Sequence, residues 1–154
     1  MSPRPRRLAD PASRRTPRRA ATPVSPARLM QEAERALRTA HAPYSRFPVG
    51  AAPLTAGGRI IVGCNVENAS FGLSICAERN AVFRAVAEGE REFVAIAVTA
   101  RRGHGASPCG ACRQVLHELA PRLWVHWREG GGRIVKRRLD QLLANAFAFE
   151  REGG

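Results

Sequence analysis

Three cysteines set at the starts of two helices constrain this chain more than any other feature. Residues 76–88 read Cys-Ala-Glu-Arg-Asn-Ala-Val-Phe-Arg-Ala-Val-Ala-Glu. A thiol is followed two positions on by a carboxylate, and then by apolar residues (Ala77, Ala81, Ala85; Val82, Val86) at helical spacing. A second stretch, Ser107-Pro108-Cys109-Gly110-Ala111-Cys112-Arg113-Gln114, opens on a proline and a Cys-x-x-Cys and runs on into Val115, Leu116 and Leu119. Free N–H groups and the macrodipole favour thiolates at helix N-termini. Three thiolates on two helix ends leave a fourth position open on a tetrahedral metal. That arrangement suits catalytic zinc better than structural zinc.

Glu78 is too close to Cys76 to be needed as a further ligand, yet near enough to touch a metal-bound water. The pair Cys-x-Glu and Pro-Cys-x-x-Cys resembles the three-cysteine form of the zinc deaminase signature. The competing reading is a structural zinc knuckle with a solvated glutamate, and a lone Cys-x-x-Cys would favour it.

The 154 residues, 44% of them hydrophobic, suit one domain with one core. No apolar run approaches the roughly 18 residues of a membrane span, and no signal-peptide core follows the basic start. The four cysteines therefore read as thiols and metal ligands of a cytoplasmic protein, and no disulfide frame is expected. The formal charge is +12 and uneven: residues 1–25 hold seven arginines against Asp10 alone, with five prolines among them. That segment cannot bury enough apolar surface to fold and reads as a disordered basic arm, with residues 26–154 as the folded domain. Its composition also fits a transit peptide, and implies only weak, sequence-independent attraction to nucleic acid.

Along the domain, Ser25 is placed as an N-cap with Pro26 as the first helical residue. Leu29, Met30, Ala33, Leu37 and Ala40 share a helical face, and Pro43 is expected to end that helix. A small-residue strand (49–54), a turn at Ala56-Gly57-Gly58 and a return strand (59–66) follow. Further strands are expected at 92–99, 123–127 and 133–136, and a last short helix at 139–143. The expected fold is α/β in the order α-β-β-α-β-α-β-β-α, one mixed five-stranded sheet covered by helices. Pro53 lacks an N–H and belongs at an edge or bulge, so its strand must bulge there or end sooner. Cys64 is expected buried, the four histidines structural or solvated, and at most one of Trp124 and Trp127 in the core.

From about Leu29 to Phe147 the chain resembles the small homotetrameric cytidine deaminases. The matching segments are residues 42–52 (Ala-Pro-Tyr-Ser-Arg-Phe-Pro-Val-Gly-Ala-Ala), residues 63–72 (Gly-Cys-Asn-Val-Glu-Asn-Ala-Ser-Phe-Gly) and the two cysteine stretches. The resemblance implies Cys76, Cys109 and Cys112 as zinc ligands and Glu78 as proton shuttle. It implies Asn65 and Glu67 on the ribose 3′-hydroxyl, Phe47 against the base, the Ala77 N–H on the pyrimidine carbonyl and the Ser107 carbonyl facing the leaving amine. Phe147 would reach into a neighbouring subunit's pocket, so that a tetramer would share its sites. Arg79 would donate to the thiolates and offset the net −1 charge of zinc with three of them. The implied reaction is hydrolytic deamination of cytidine and deoxycytidine in pyrimidine salvage, with no specific nucleic acid and no membrane as partner. Three other readings stand beside it: a deaminase for a modified nucleoside such as blasticidin S, a polynucleotide editor, and a non-catalytic zinc or nucleic-acid-binding module.

Overall fold

The computed structural model describes residues 24–101, 105–129 and 131–149. The basic arm falls mostly outside them. Its last two residues are ordered on the domain, Val24 packing against the core and Ser25 capping the first helix.

That helix, α1 (Pro26–Leu37), begins as the sequence suggests: the Ser25 hydroxyl accepts from the Arg28 N–H at 3.2 Å, and Pro26 fills the first turn. It buries Leu29, Met30, Ala33 and Ala36. It stops at Leu37, short of the expected end at Pro43, and Ala40 lies outside it. The Thr39 hydroxyl takes the Ala36 carbonyl at 2.8 Å, closing the last turn locally.

The remaining elements are β1 (Val49–Thr55), β2 (Gly63–Cys64), α2 (Ala77–Ala87), β3 (Phe93–Ala100), α3 (Gly110–Leu119), β4 (Trp124–Arg128), β5 (Ile134–Arg138) and α4 (Leu139–Leu142), with a short 3₁₀ turn at Phe71–Leu73. The order is the one expected. The strands form one sheet, β2-β1-β3-β4-β5, in which only β3 and β4 are parallel. α3 makes the crossover between those two strands, which places its N-terminus at the carboxyl end of β3, where open α/β sheets build sites. On one face, Leu29, Met30 and Ala33 of α1 pack with Ala52, Leu54, Ala95 and Ala97. On the other, α2 and α3 pack Ala81, Val82, Ala85 and Leu116 on Ile96, Val98, Val125 and Trp127. Each large aliphatic side chain so buried contributes about 1.5–3 kcal/mol.

Pro53 neither bulges the strand nor ends it. It pairs with Ile96 in regular register, and the register shift comes one step later, between Leu54 and Thr55. In an antiparallel ladder the N and O of one residue point the same way. The Pro53 carbonyl accepts from the Ile61 N–H at 3.2 Å, so its missing donor also faces residue 61 and not β3. The missing donor interrupts this ladder, which keeps its register and bridges again at Leu54–Ile60, so that a continuous return strand survives only at Gly63–Cys64. Trp127 is buried and Trp124 is partly exposed beneath the Lys136 ammonium, 3.9 Å from its ring. His126 is buried in the sheet, whereas Cys64 is only half-buried, its thiol 3.5 Å from the Thr39 carbonyl.

Two glycines let the helices come this close. A Cβ on Gly50 would lie 2.1 Å from the Ala33 carbonyl oxygen and 2.6 Å from the Leu37 nitrogen, and one on Gly63 2.6 Å from the Ala81 nitrogen. The obstacles are backbone, so no rotamer relieves them. Gly50→Ala is expected to cost about 3 kcal/mol, at the upper end of overpacking, and to lower Tm by about 6–12 °C in calorimetry. A shift under about 2 °C would mean that α1 slides freely on β1.

Candidate active site

Helix starts deliver the thiols. Cys76 is the N-cap of α2 and Cys109 the N-cap of α3, both with extended backbone, and Cys112 sits in the first turn of α3. Packing of α2 and α3 on one sheet face brings the three Sγ atoms within 4.8 Å of one another, with Cys76 and Cys109 at 4.0 Å. Zn–S bonds of about 2.3 Å in tetrahedral geometry require S···S separations of ~3.8 Å, so the donors fit zinc with little adjustment. Cys112 is buried, Cys76 half-buried and Cys109 exposed, which leaves one side of the cluster open to a cavity.

The three thiols interact electrostatically with one another and with Arg79. The Cys112 thiol donates to Cys76 and, together with Arg79 and Cys109, brings the Cys76 pKa down to about 5 in spite of burial. Donation to Cys76 and burial push Cys112 the other way. Arg79 reaches back from α2, its Nη2 3.6 Å from the Cys76 sulfur. Its Nε is buried and finds no hydrogen-bond partner among the described residues. The offsetting role expected for Arg79 thus has its geometry.

Glu78, on the first turn of α2, is only 4% exposed. Burial raises its carboxyl to about 7, and the Cys76 thiolate adds to the rise. A carboxyl titrating near neutrality can both take and give a proton at working pH.

The cavity, about 430 Å³, is the size of a nucleoside pocket. Its lining includes Cys76, Cys109 and Glu78 together with Phe47, Asn65, Glu67, Ala77 and Ser107. Every substrate-contact residue inferred from the sequence is therefore gathered there except Phe147. Phe147 stands 72% exposed on the C-terminal segment, its carbonyl accepting from the Gln114 amide at 2.8 Å.

Asn65 and Glu67 face the same way, as alternate residues should, but both are already engaged. Asn65 Oδ1 accepts from the Val49 N–H at 2.8 Å, and its Nδ2 donates to the Phe47 carbonyl at 3.0 Å. Glu67 Oε2 accepts from the backbone N–H groups of Tyr44 and Ser45, at 2.9 and 3.2 Å, and Oε1 from the Ser45 hydroxyl. That hydroxyl bond is the chief reason the Glu67 carboxyl lies below its usual range. Both side chains therefore hold the loop that carries Phe47, and Arg46 within it has a left-handed φ of 56°. Sequence reading missed Ser45 and the bracing residues Asn80 and Arg113. Asn80 Nδ2 holds the Cys64 carbonyl at 2.9 Å, and Arg113 binds Ser107 and Pro108. Ser45 and Arg113 stand inside the very segments that carry the resemblance, which was the only signal for them.

A buried carboxyl beside three convergent thiols, two of them lining a pocket, defines a zinc-dependent hydrolase of the deaminase kind. Comparison with known proteins agrees. The model of the cytidine and deoxycytidylate deaminase zinc-binding region matches residues 24–127. A cytidine deaminase of Halalkalibacterium halodurans is 49% identical over 123 residues, which cover 79% of this chain and 93% of that protein. One from Sporosarcina psychrophila is 44% identical over 124 residues, 80% of this chain and 91% of the relative. The crystal structure of cytidine deaminase from Burkholderia pseudomallei superposes with a TM-score of 0.77 at 46% identity, covering 80% of this chain and all of the other. The chain belongs to the cytidine and deoxycytidylate deaminase family.

Proposed function

We propose that the protein deaminates cytidine and deoxycytidine hydrolytically to the corresponding uridine nucleosides, as an enzyme of pyrimidine salvage. The observation that carries this reading is Glu78, buried beside the three convergent thiols and lining, with Cys76 and Cys109, a pocket of about 430 Å³. Zinc held by Cys76, Cys109 and Cys112 would supply Lewis-acid activation of the attacking water. Glu78 takes the proton from that water and delivers it to N3 of the pyrimidine, which makes C4 electrophilic. After water adds at C4, Glu78 carries the second proton to the amine, and ammonia leaves. Arg79 and the two helix N-termini hold negative charge on the thiolates.

In this reading the Ala77 N–H at the start of α2 meets the pyrimidine carbonyl, the Ser107 carbonyl meets the amine, and Phe47 packs on the base. Glu67 has spare lone pairs after its three bonds, so it can still accept from a ribose hydroxyl, with Asn65 as donor. The thiolate site suits a reducing compartment, and cytoplasm is the location we infer. None of the described helices is long and apolar enough to cross a membrane. Ammonia release from free cytidine and from a single-stranded oligonucleotide tests the substrate class. Turnover of the nucleoside alone is the expected result, and turnover of the oligonucleotide alone would replace this reading by polynucleotide editing.

The C-terminal aromatics motivate our proposal for the assembly. Phe147 and Phe149 are 72% and 81% exposed, with none of the described residues covering them, and paired aromatics left bare in this way commonly mark an interaction surface. We place Phe147 over the nucleoside of a neighbouring subunit in a homotetramer. Phe147→Ala should then raise KM for cytidine and weaken assembly together. Mixing it with a Glu78→Gln chain under subunit exchange should restore part of the activity. An active monomer in sedimentation, or no recovery on mixing, would sink the shared site.

A further inference from the structure

Arg113 follows the ligand Cys112 directly, yet its guanidinium turns away from the metal cluster and spreads over three acceptors. Nε donates to the Pro108 carbonyl at 2.8 Å, Nη2 to the Ser107 hydroxyl at 3.0 Å and Nη1 to the Leu142 carbonyl at 2.7 Å. None of these partners is a carboxylate. The side chain is half-buried, and a fixed cation placed on neutral oxygens is a costly choice unless the planar fork itself is needed. The next residue, Gln114, donates to the Phe147 carbonyl at 2.8 Å. Two successive side chains of α3 thus grip two different segments. One is the irregular stretch that leads into Cys109 and carries the Ser107 carbonyl. The other is the end of α4 and the tail that carries Phe147.

We infer that Arg113 is a positioning residue for deamination, which locks the Ser107 wall of the pocket, through Ser107 and the buried Pro108, to the C-terminal segment so that the Cys109 ligand and the tail keep a fixed relation. The inference rests on the deaminase reading for its kinetic consequence but not for its metal consequence. Cys109 is the exposed ligand, at the mouth of the cluster, and Arg113 holds the residue immediately before it. Losing the fork frees the approach to that sulfur. A lysine supplies a point charge without the fork and can serve only part of the set.

The test uses the full-length zinc-loaded protein and its Arg113→Gln, Arg113→Lys and Gln114→Ala variants. Zinc transfer to a colorimetric chelator is followed beside cytidine turnover, with thermal melts as a check on folding. Arg113→Gln is expected to release zinc about tenfold faster and to lose about tenfold in kcat/KM, mostly in kcat. Arg113→Lys should recover only part of either. Gln114→Ala should raise KM while leaving zinc release unchanged, because it holds the tail alone. If Arg113→Gln melts lower but, where folded, matches the wild type within twofold in zinc release and both kinetic constants, the residue merely stabilises the fold and the inference is wrong. Should Arg113→Gln fail to fold, Arg113→Lys with wild-type zinc release and kinetics overturns it equally. A wild-type protein inactive on cytidine would remove the deaminase reading and leave the zinc-release arm to decide this one.

Discussion

Glu78→Gln is expected to retain both the fold and zinc while kcat for cytidine falls by about 10²- to 10⁴-fold. The amide fills the same buried volume and can accept a hydrogen bond, but it cannot take a proton from water and return it to N3 and then to the amine. Glu78 is 4% exposed, so solvent has no ready route to replace it as a proton carrier. Its carboxyl near pH 7 is a product of burial, with the Cys76 thiolate a smaller contributor. Glu78→Asp separates charge from reach: it keeps an ionisable group one methylene too short, and should recover only a small part of the loss. Steady-state rates with a metal assay on the same sample check both variants. A Glu78→Gln protein with near-wild-type kcat and full zinc would show that some other group moves the protons.

Zinc removal should have the second largest effect. The purified chain is expected to carry about one zinc, following the three-ligand catalytic pattern. Stripping with a chelator should abolish turnover, and adding zinc should restore it. Stability should fall as well, since a ligand present at a thousand times its Kd contributes about 4 kcal/mol, or ~8–16 °C in Tm for a domain of this size. Cys112→Ala should prevent reloading, because it removes the buried ligand. Full activity in a metal-free sample would end the zinc assignment.

Much of this site was legible in the sequence because it depends on short-range geometry. Cys76 and Glu78 belong to one helix start, and Cys109 and Cys112 to another, so their relative placement is fixed by the α-helix itself. Ser25 and Pro26 marked the first helix, and the alternation of strands and helices marked the layers. Where expectation missed, a particular contact had overridden a periodic pattern. The apolar face at Leu37 and Ala40 continued the helical period, yet the chain turned at Thr39. The β-rich run at 59–66 kept only a two-residue continuous strand, because Pro53 faced it without a donor.

The amino-acid sequence by itself determined the chemistry of this protein: which groups can bind zinc, which carboxyl can move protons, and where two helices must begin. Only the tertiary structure decided that those two helix starts meet within 4.8 Å, since nothing local relates residue 76 to residue 109. It also decided the raised pKa of Glu78, which follows chiefly from burial by the whole fold, with the Cys76 thiolate two residues back a smaller contributor. Asn65 and Glu67 were visible as a polar pair, but that they hold the Phe47 loop from some twenty residues away could be learned only from the folded chain. Helix propensity and ligand spacing act over a few residues. Desolvation and long-range hydrogen bonds act across the sheet, and they convert a set of suitable groups into a site.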